Sequence, residues 1–239
     1  MASCTKQDDE LATTDSKRFS KVYSQRDGCK DQTTEFIYKN GLLDYVITDG
    51  ITQEKHLHYK NGKVYLIAYN NIVDSILYTD DGLLDEIRRT VVYDNREPEE
   101  LLFKYYYNEL GQVITVITYD SFSSDLINDI TTHLWDNNNI IQTLWNERSG
   151  RTRYSFIEYD NSVNWMKFDP YSFNSPFVKN RNNILTQRDS FPINYQFSLP
   201  PAECFPCTYE YEYDETFTPI VRYYSSSNGR TSYTEFTYE

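Results

Sequence analysis

A run of about 18 apolar residues, the least that carries a helix across a bilayer, is missing from this chain. Basic residues are scarce: 23 Lys and Arg stand against 36 Asp and Glu, for a net charge of −13. Nucleic-acid binding is driven by Lys and Arg displacing phosphate counterions, and docking on anionic lipid head groups needs a basic patch. Neither is expected here. Glycine is limited to 8 of 239 residues, and no glycine-rich phosphate loop or Gly-x-Ser-x-Gly elbow occurs. With three histidines in all, a metal centre has few ligands to draw on.

Aromatic residues are abundant instead. They make up 16% of the chain, with 23 Tyr and 13 Phe. A disordered segment would lack them, whereas half-buried strands use a Tyr ring for packing and leave its hydroxyl wet.

Many of these aromatics sit in a recurring unit: an aromatic, a short polar stretch with Asn, Asp or Gly, then an apolar run. Its copies include Tyr38-Lys39-Asn40-Gly41-Leu42-Leu43, Tyr59-Lys60-Asn61-Gly62-Lys63-Val64 and Tyr78-Thr79-Asp80-Asp81-Gly82-Leu83-Leu84. Tyr107-Asn108-Glu109-Leu110-Gly111 is a further copy, and weaker ones start at Trp135, Tyr159 and Tyr213. The tyrosines stand roughly 20–30 residues apart, the period of a repeat architecture. Asn-Gly and Asp-Gly accept the positive φ of a type I′ turn, so Asn40-Gly41, Asn61-Gly62 and Asp81-Gly82 mark hairpin tips. The flanks alternate. Tyr209, Tyr211 and Tyr213 share one face, as do Thr34, Phe36 and Tyr38, and then Leu43, Tyr45 and Ile47. Helical reading extends only to short turns at Ser123–Asn128 and Asp94–Leu102. The expected fold is all-β, an antiparallel meander of hairpins curling into a barrel-like or strongly twisted sheet, which removes sticky edges. A membrane-spanning barrel needs an outward apolar band, whereas most strands here carry charged or amide groups on their second face.

The expected organisation is a tether over residues 1–30 and one β domain over 31–239. An irregular insertion interrupts the domain at about 161–207, where Asp169-Pro170, Ser175-Pro176, Phe191-Pro192 and Pro200-Pro201 lie. Long loops of this kind either bind ligands or cap a sheet edge.

The opening Met1-Ala2-Ser3-Cys4 places small residues before a cysteine, and Lys6-Gln7-Asp8-Asp9-Glu10 follows. This resembles the lipobox of bacterial lipoproteins and the acidic export tag of Bacteroidetes surface lipoproteins. The resemblance implies a lipid on Cys4 and a place in the outer membrane, at the cell surface or on the periplasmic face. An oxidising setting favours a Cys204–Cys207 disulfide, with Cys29 to either one as the rival pairing.

Chemistry-bearing patterns are sparse. His56 and His58 share a strand face but lack a third ligand, His133 being distant in sequence. Carboxylates abound near Asp80, Glu97 and Glu210, yet none lies in a motif. Trp135, Trp145, Trp165 and Tyr171 are candidates for ring stacking with a ligand, although aromatics at period two are more often simply core. No catalytic residue, cofactor or metal is assigned. As a whole, the Tyr-x-Asn-Gly-Leu-Leu hairpins, Glu158-Tyr159-Asp160-Asn161, Phe168-Asp169-Pro170-Tyr171, Asn182-Asn183-Ile184 and the closing Tyr-Glu-Tyr-Asp hairpin resemble the Bacteroidetes lipoproteins grouped as DUF4595. The tyrosine-aspartate repeats of the YD/RHS type are a weaker likeness. The first resemblance implies a porin-like β fold. The function expected is a surface-anchored, non-catalytic binding or structural module contacting glycan or an envelope protein. A polysaccharide-acting enzyme, or an accessory subunit of an outer-membrane complex, is the alternative.

Overall fold

The computed structural model describes residues 18–26, 31–48, 51–122, 126–164, 166, 180, 182–190, 207–226 and 229–238. Sixteen strands form one closed antiparallel barrel in which each pairs with its sequence neighbour and the first pairs with the last. In chain order they are β1 (Phe19–Arg26), β2 (Gln32–Lys39), β3 (Leu42–Thr48), β4 (Ile51–Lys60), β5 (Lys63–Tyr69), β6 (Ile72–Tyr78), β7 (Leu84–Tyr93) and β8 (Arg96–Tyr107). The second half comprises β9 (Val113–Tyr119), β10 (Ile127–Asp136), β11 (Asn139–Glu147), β12 (Thr152–Val163), β13 (Asn182–Ser190), β14 (Cys207–Tyr213), β15 (Pro219–Ser226) and β16 (Thr231–Tyr238). The hairpin meander expected from the turns is therefore present, and it closes.

Two differences from the sequence reading concern boundaries. Strand β1 lies inside the stretch read as a tether, and β13 lies inside the stretch read as an irregular insertion. Both carry the barrel's own inward pattern, given below. The short helical turn read at Asp94–Leu102 is instead the start of β8, whose Arg96 pairs with Tyr93 of β7. The guanidinium stacks on the Tyr93 ring at 3.5 Å. Leu126–Asn128, the end of the other helical reading, leads into β10.

Turn chemistry fixes one end of the barrel. Asn40 and Gly41 have φ of 53° and 80°, and Asn61 and Gly62 have 52° and 77°. These are type I′ turns, whose twist suits the flanking strands. Asp81-Gly82 differs: only Gly82 has positive φ, and its N–H donates to the Thr79 carbonyl. This is a type I turn with a G1 bulge, so the third dipeptide marks a hairpin tip of another kind. The same hydrogen-bond pattern recurs at Asn108–Gln112 and Glu147–Arg151, with glycine in the left-handed position. At Asp214–Thr218 that position is held by Phe217, with φ 59° and a ring 70% exposed. A left-handed L-residue costs about 1–2 kcal/mol, and glycine gives part of that back as unfolded-chain entropy. Phe217→Gly should therefore stabilise the barrel by about 0.5–1 kcal/mol, read as a higher chemical-denaturation midpoint.

A second repeat lies beneath the turns. On every odd strand a β-bulge skips one residue near the strand start: Ser20, Asp44, Tyr65, Asp85, Ile114, Ile141, Leu185 and Ile220. A bulge shifts the side-chain phase. The inward positions of an odd strand thus fall three apart at its start: Phe19 and Val22, Leu43 and Val46, Val64 and Ile67, Leu84 and Ile87. This overturns the placement of Leu43, Tyr45 and Ile47 on one face. Leu43 and Val46 are buried, while Ile47 is exposed and Tyr45 pairs outward with His56. Alternation holds where no bulge intervenes, as for Phe36 and Tyr38, and for Tyr209, Tyr211 and Tyr213.

Each even strand contributes an inward aromatic, and on seven of the eight it hydrogen-bonds the carbonyl at the start of the preceding odd strand. Tyr38 donates to Phe19 at 2.7 Å, Tyr78 to Val64 at 2.9 Å, Tyr107 to Leu84 at 2.6 Å and Tyr159 to Ile140 at 2.5 Å. Trp135 Nε1 donates to Val113 at 2.8 Å, Tyr211 to Ile184 at 3.1 Å and Tyr238 to Pro219 at 2.6 Å, and on β4 Tyr59 holds the corresponding place beside the Leu43 backbone. Except on β14, where Tyr213 and not Tyr211 pairs with Pro219, the aromatic is also the register partner of the next odd strand's first inward residue, as Tyr38 is of Leu43 and Tyr238 of Phe19. The links form a girdle around one end. Carbonyls left by the bulges find donors there, which matters because a buried unpaired carbonyl costs about 1–3 kcal/mol.

Burial pushes the hydroxyls of Tyr59, Tyr78, Tyr107, Tyr159 and Tyr238 above the usual phenol range, Tyr107 to about 12. A raised folded-state value means stability that is intact below pH ~10, where unfolded tyrosine ionises. It is lost as pH climbs toward the folded values. Alkaline titration should therefore show phenolate absorbance and loss of sheet signal rising together above pH ~10. Smooth ionisation with the sheet intact would contradict the girdle.

The apolar core follows from the inward pairs. Phe19, Phe36, Leu43, Val46, Leu57, Val64, Ile67, Ile76, Leu84, Ile87 and Phe236 form one cluster on β1–β7 and β16. On β11, β13 and β15 the later inward position turns polar, at Thr143, Gln187 and Arg222. The lumen wall is thus apolar on one side and polar on the other.

Candidate binding clefts at the end opposite the girdle

The polar side carries a buried histidine. His133 Nδ1 lies 3.0 Å from Thr143 Oγ1, and burial holds its imidazole down at about 4. His133 faces inward, whereas His56 and His58 face outward and are exposed, beside the Tyr45 and Tyr65 rings at 5.6 and 6.3 Å. The three histidines therefore do not converge. Among the described residues no group of three or more His, Cys, Asp or Glu could hold a metal.

At the girdle end, the step from β12 to β13 is clamped by amides. Asn139 and Asn182 bond reciprocally, Nδ2 to Oδ1 at 3.0 Å and Asn182 N to Asn139 Oδ1 at 3.1 Å. The Ile140 N–H donates to Asn180 Oδ1 at 2.9 Å, and Asn180 Nδ2 donates to the Tyr159 hydroxyl at 2.8 Å. Asn183 N–H and the Tyr213 hydroxyl both donate to Asp160. Burial, and then Asp160, push the Tyr213 hydroxyl up to about 12. Its engagement with Asp160 explains why Tyr211, not Tyr213, takes the girdle position on β14. Asn164, Asn180 and Asn183 are almost fully buried, so this network is a structural clamp.

Two clefts open at the other end, where β1, β11 and β15 finish. The first has a volume of about 500 Å³ and is lined from β1, β14, β15 and β16, including Gln25, Arg26, Thr208, Glu210 and Ser232. Tyr233 and Tyr223 also line it, and with Tyr23 they form a row on the outer wall of adjacent strands. Ring centroids are 6.3 Å apart from Tyr23 to Tyr233 and 5.5 Å from Tyr233 to Tyr223. Each hydroxyl donates to a carboxylate: Tyr23 to Asp31 at 2.8 Å, Tyr223 to Glu212 at 2.7 Å and Tyr233 to Glu235 at 3.2 Å. These carboxylates raise the hydroxyls of Tyr23 and Tyr223 above the usual phenol range.

The second cleft, of about 380 Å³, gathers Asp129, Trp145, Glu147, Arg148 and Arg153. The Arg153 guanidinium lies 4.1 Å over the Trp145 ring. Asp129 and Glu147 are register partners across β10 and β11. Burial, with Glu147 adding to it, raises the Asp129 carboxyl.

The residues singled out by sequence are dispersed. Trp145 lines the second cleft, while Trp135 is a girdle member whose indole N–H is engaged. Trp165, Tyr171, Cys4, Cys29 and Cys204 lie outside the described residues. Cys207 begins β14, with its Sγ 3.3 Å from the Tyr224 hydroxyl. Sequence reasoning missed Tyr23, Tyr223 and Tyr233. Their signal was alternation on β15 and β16 with carboxylates two residues away or on the next strand.

The fold has solved counterparts. A porin-like protein from Bacteroides uniformis ATCC 8492 superposes with a TM-score of 0.63 at 12% identity, over 92% of this chain and 98% of that one. A porin-like protein from Bacteroides vulgatus ATCC 8482 does so with a TM-score of 0.59 at 14% identity, over 93% and 99%. At these identities the likeness is one of fold. No protein-family model matches the sequence, and no curated protein does either.

Proposed function

We propose that this protein is a non-catalytic binding module of the bacterial envelope, a barrel surrounded by water and carried on a lipid at Cys4. The observation that carries this reading is the polarity of the barrel's ends. The chain enters β1 at Phe19, on the girdle end, and both clefts open at the opposite end. A tether leading back to Cys4 would hold the girdle toward the membrane and the clefts away from it. The outer wall supports water as its surroundings. Arg88, Arg188, Glu158, Glu210, Glu212 and Glu235 all face outward along the strands and are exposed. In a bilayer each outward arginine near the midplane would cost about 2–4 kcal/mol. The porin-like descriptions of the two solved counterparts are in keeping with an envelope setting.

A glycan array run beside a reducing-sugar assay tests the reading, with binding and no turnover expected. A second reading, an enzyme acting on polysaccharide, is favoured by Asp129 and Glu147 facing one another beside Trp145. Release of reducing ends, abolished by Asp129→Asn, would establish that reading in place of the first. Metabolic labelling of the full-length precursor with a lipid analogue should tag Cys4, and Cys4→Ala should lose the label.

A further inference from the structure

Resting on that reading, we propose that Tyr23, Tyr233 and Tyr223 form a stacking platform for an uncharged oligosaccharide chain, which continues along the 500 Å³ cleft that Tyr233 and Tyr223 themselves line. Three observations converge on this ligand class.

The first is spacing. The rings stand on three neighbouring strands, and their centroid separations of 6.3 and 5.5 Å are close to the length of one pyranose unit in a chain. The apolar C–H face of a sugar packs against an aromatic face. The rings are inclined to one another by 64° and 55°. Such a row is fluted, and it suits a chain whose successive sugars rotate, not the flat face of a crystalline polymer.

The second is preorganisation. Every hydroxyl of the row is held by a carboxylate: Asp31, Glu235 or Glu212. Fixing a side chain before the ligand arrives lowers the ordering cost of binding. An ionised carboxylate has about four lone-pair sites, so each retains acceptors for sugar hydroxyl donors at the edge of the ring it holds.

The third is charge. Asp31, Glu210, Glu212 and Glu235 surround the row, with Arg26 at the cleft. A carboxylate-rich wall repels uronates, sulfates and phosphates and leaves neutral hydroxyl-bearing chains as the matching partner.

The test is calorimetric titration of the whole protein with cellohexaose and maltohexaose, and with a galacturonate hexasaccharide as the charged control. One neutral chain should bind and the charged one should not. Tyr233→Ala and Tyr223→Ala should each raise its Kd by tenfold or more, about 1.4 kcal/mol. Tyr233→Phe, which keeps the ring, should stay within about threefold, or 0.65 kcal/mol, and Tyr106→Ala, at an exposed outer-wall tyrosine of β8 that lines neither cleft, should bind as the parent does. Should Tyr233→Ala fail to fold, Tyr223→Ala carries the test, its ring being 40% exposed. Undiminished binding in the tyrosine variants with loss in Trp145→Ala would overturn the platform while leaving the module reading intact. Preference for galacturonate, or no binding to either neutral chain, would overturn the platform as well. Reducing ends released from a bound chain would overturn the module reading itself.

Discussion

Phe19→Ala should destabilise the barrel by about 3–5 kcal/mol, the range for truncating a buried Phe. Phe19 is 1% exposed and sits at the seam where the first strand meets the last. Its ring stacks on Phe236 at 5.3 Å and lies 5.8 Å from Phe36 and 5.0 Å from Tyr238. Those partners belong to β16, β2 and β16 again, so one side chain packs both neighbours of β1. Its carbonyl accepts the Tyr38 hydroxyl, and that bond survives truncation of the ring. The loss should therefore appear as a lower denaturation midpoint, with Phe19→Leu recovering most of it. A loss below about 1 kcal/mol would mean that β1 is not part of the cooperative barrel.

Arg89→Met should destabilise by a similar amount, about 3–5 kcal/mol at pH 7, by stranding a carboxylate. Asp74 is 5% exposed and faces Arg89 across β6 and β7. The pair is bidentate, Nε to Oδ1 at 2.8 Å and Nη2 to Oδ2 at 2.9 Å. The guanidinium lies 5.5 Å over the Phe103 ring, and its bond to Asp74 keeps it firmly protonated. The double variant Arg89→Met with Asp74→Leu should regain most of the loss, because a packed apolar pair replaces a buried ion pair at little cost. A defect in Arg89→Met below about 1 kcal/mol would show that Asp74 reaches water.

Much of this architecture is written in the turns. Asn40-Gly41 and Asn61-Gly62 announce their hairpins because few other dipeptides take two positive φ values in succession. The closing of the sheet was less visible, since β1 looks polar: of its eight residues only Phe19, Val22 and Tyr23 are large and apolar or aromatic. Once the bulges are known, Phe19 and Val22 match Leu43 and Val46, or Val64 and Ile67, as the inward pair three apart. Strict alternation hides that pattern, and it misplaced Tyr45 and Ile47 for the same reason.

The role of the repeated aromatic was also beyond the sequence. Tyr38 or Tyr78 reads as a core residue, but its hydroxyl partner is a backbone carbonyl on the preceding strand, and no side-chain pattern encodes a carbonyl. Trp135 reads as a core ring with ligand stacking as the alternative, and its position before Asn137-Asn138 makes it the equivalent of Tyr38 before Asn40-Gly41. The binding row of Tyr23, Tyr233 and Tyr223 comes from both termini of the barrel. Only closure brings it together, so a reading confined to consecutive hairpins had no means of assembling it.

Closure between β1 and β16 is what joins the girdle, the core and the tyrosine row, and native-state hydrogen exchange measures it directly. The amides paired across the seam, including Val22 with Phe236 and Ser24 with Thr234, should exchange only through global unfolding, at the free energy found for the amides of β6 and β7. Seam amides that exchange orders of magnitude faster than those of β6 and β7 in the same sample would mean an open sheet.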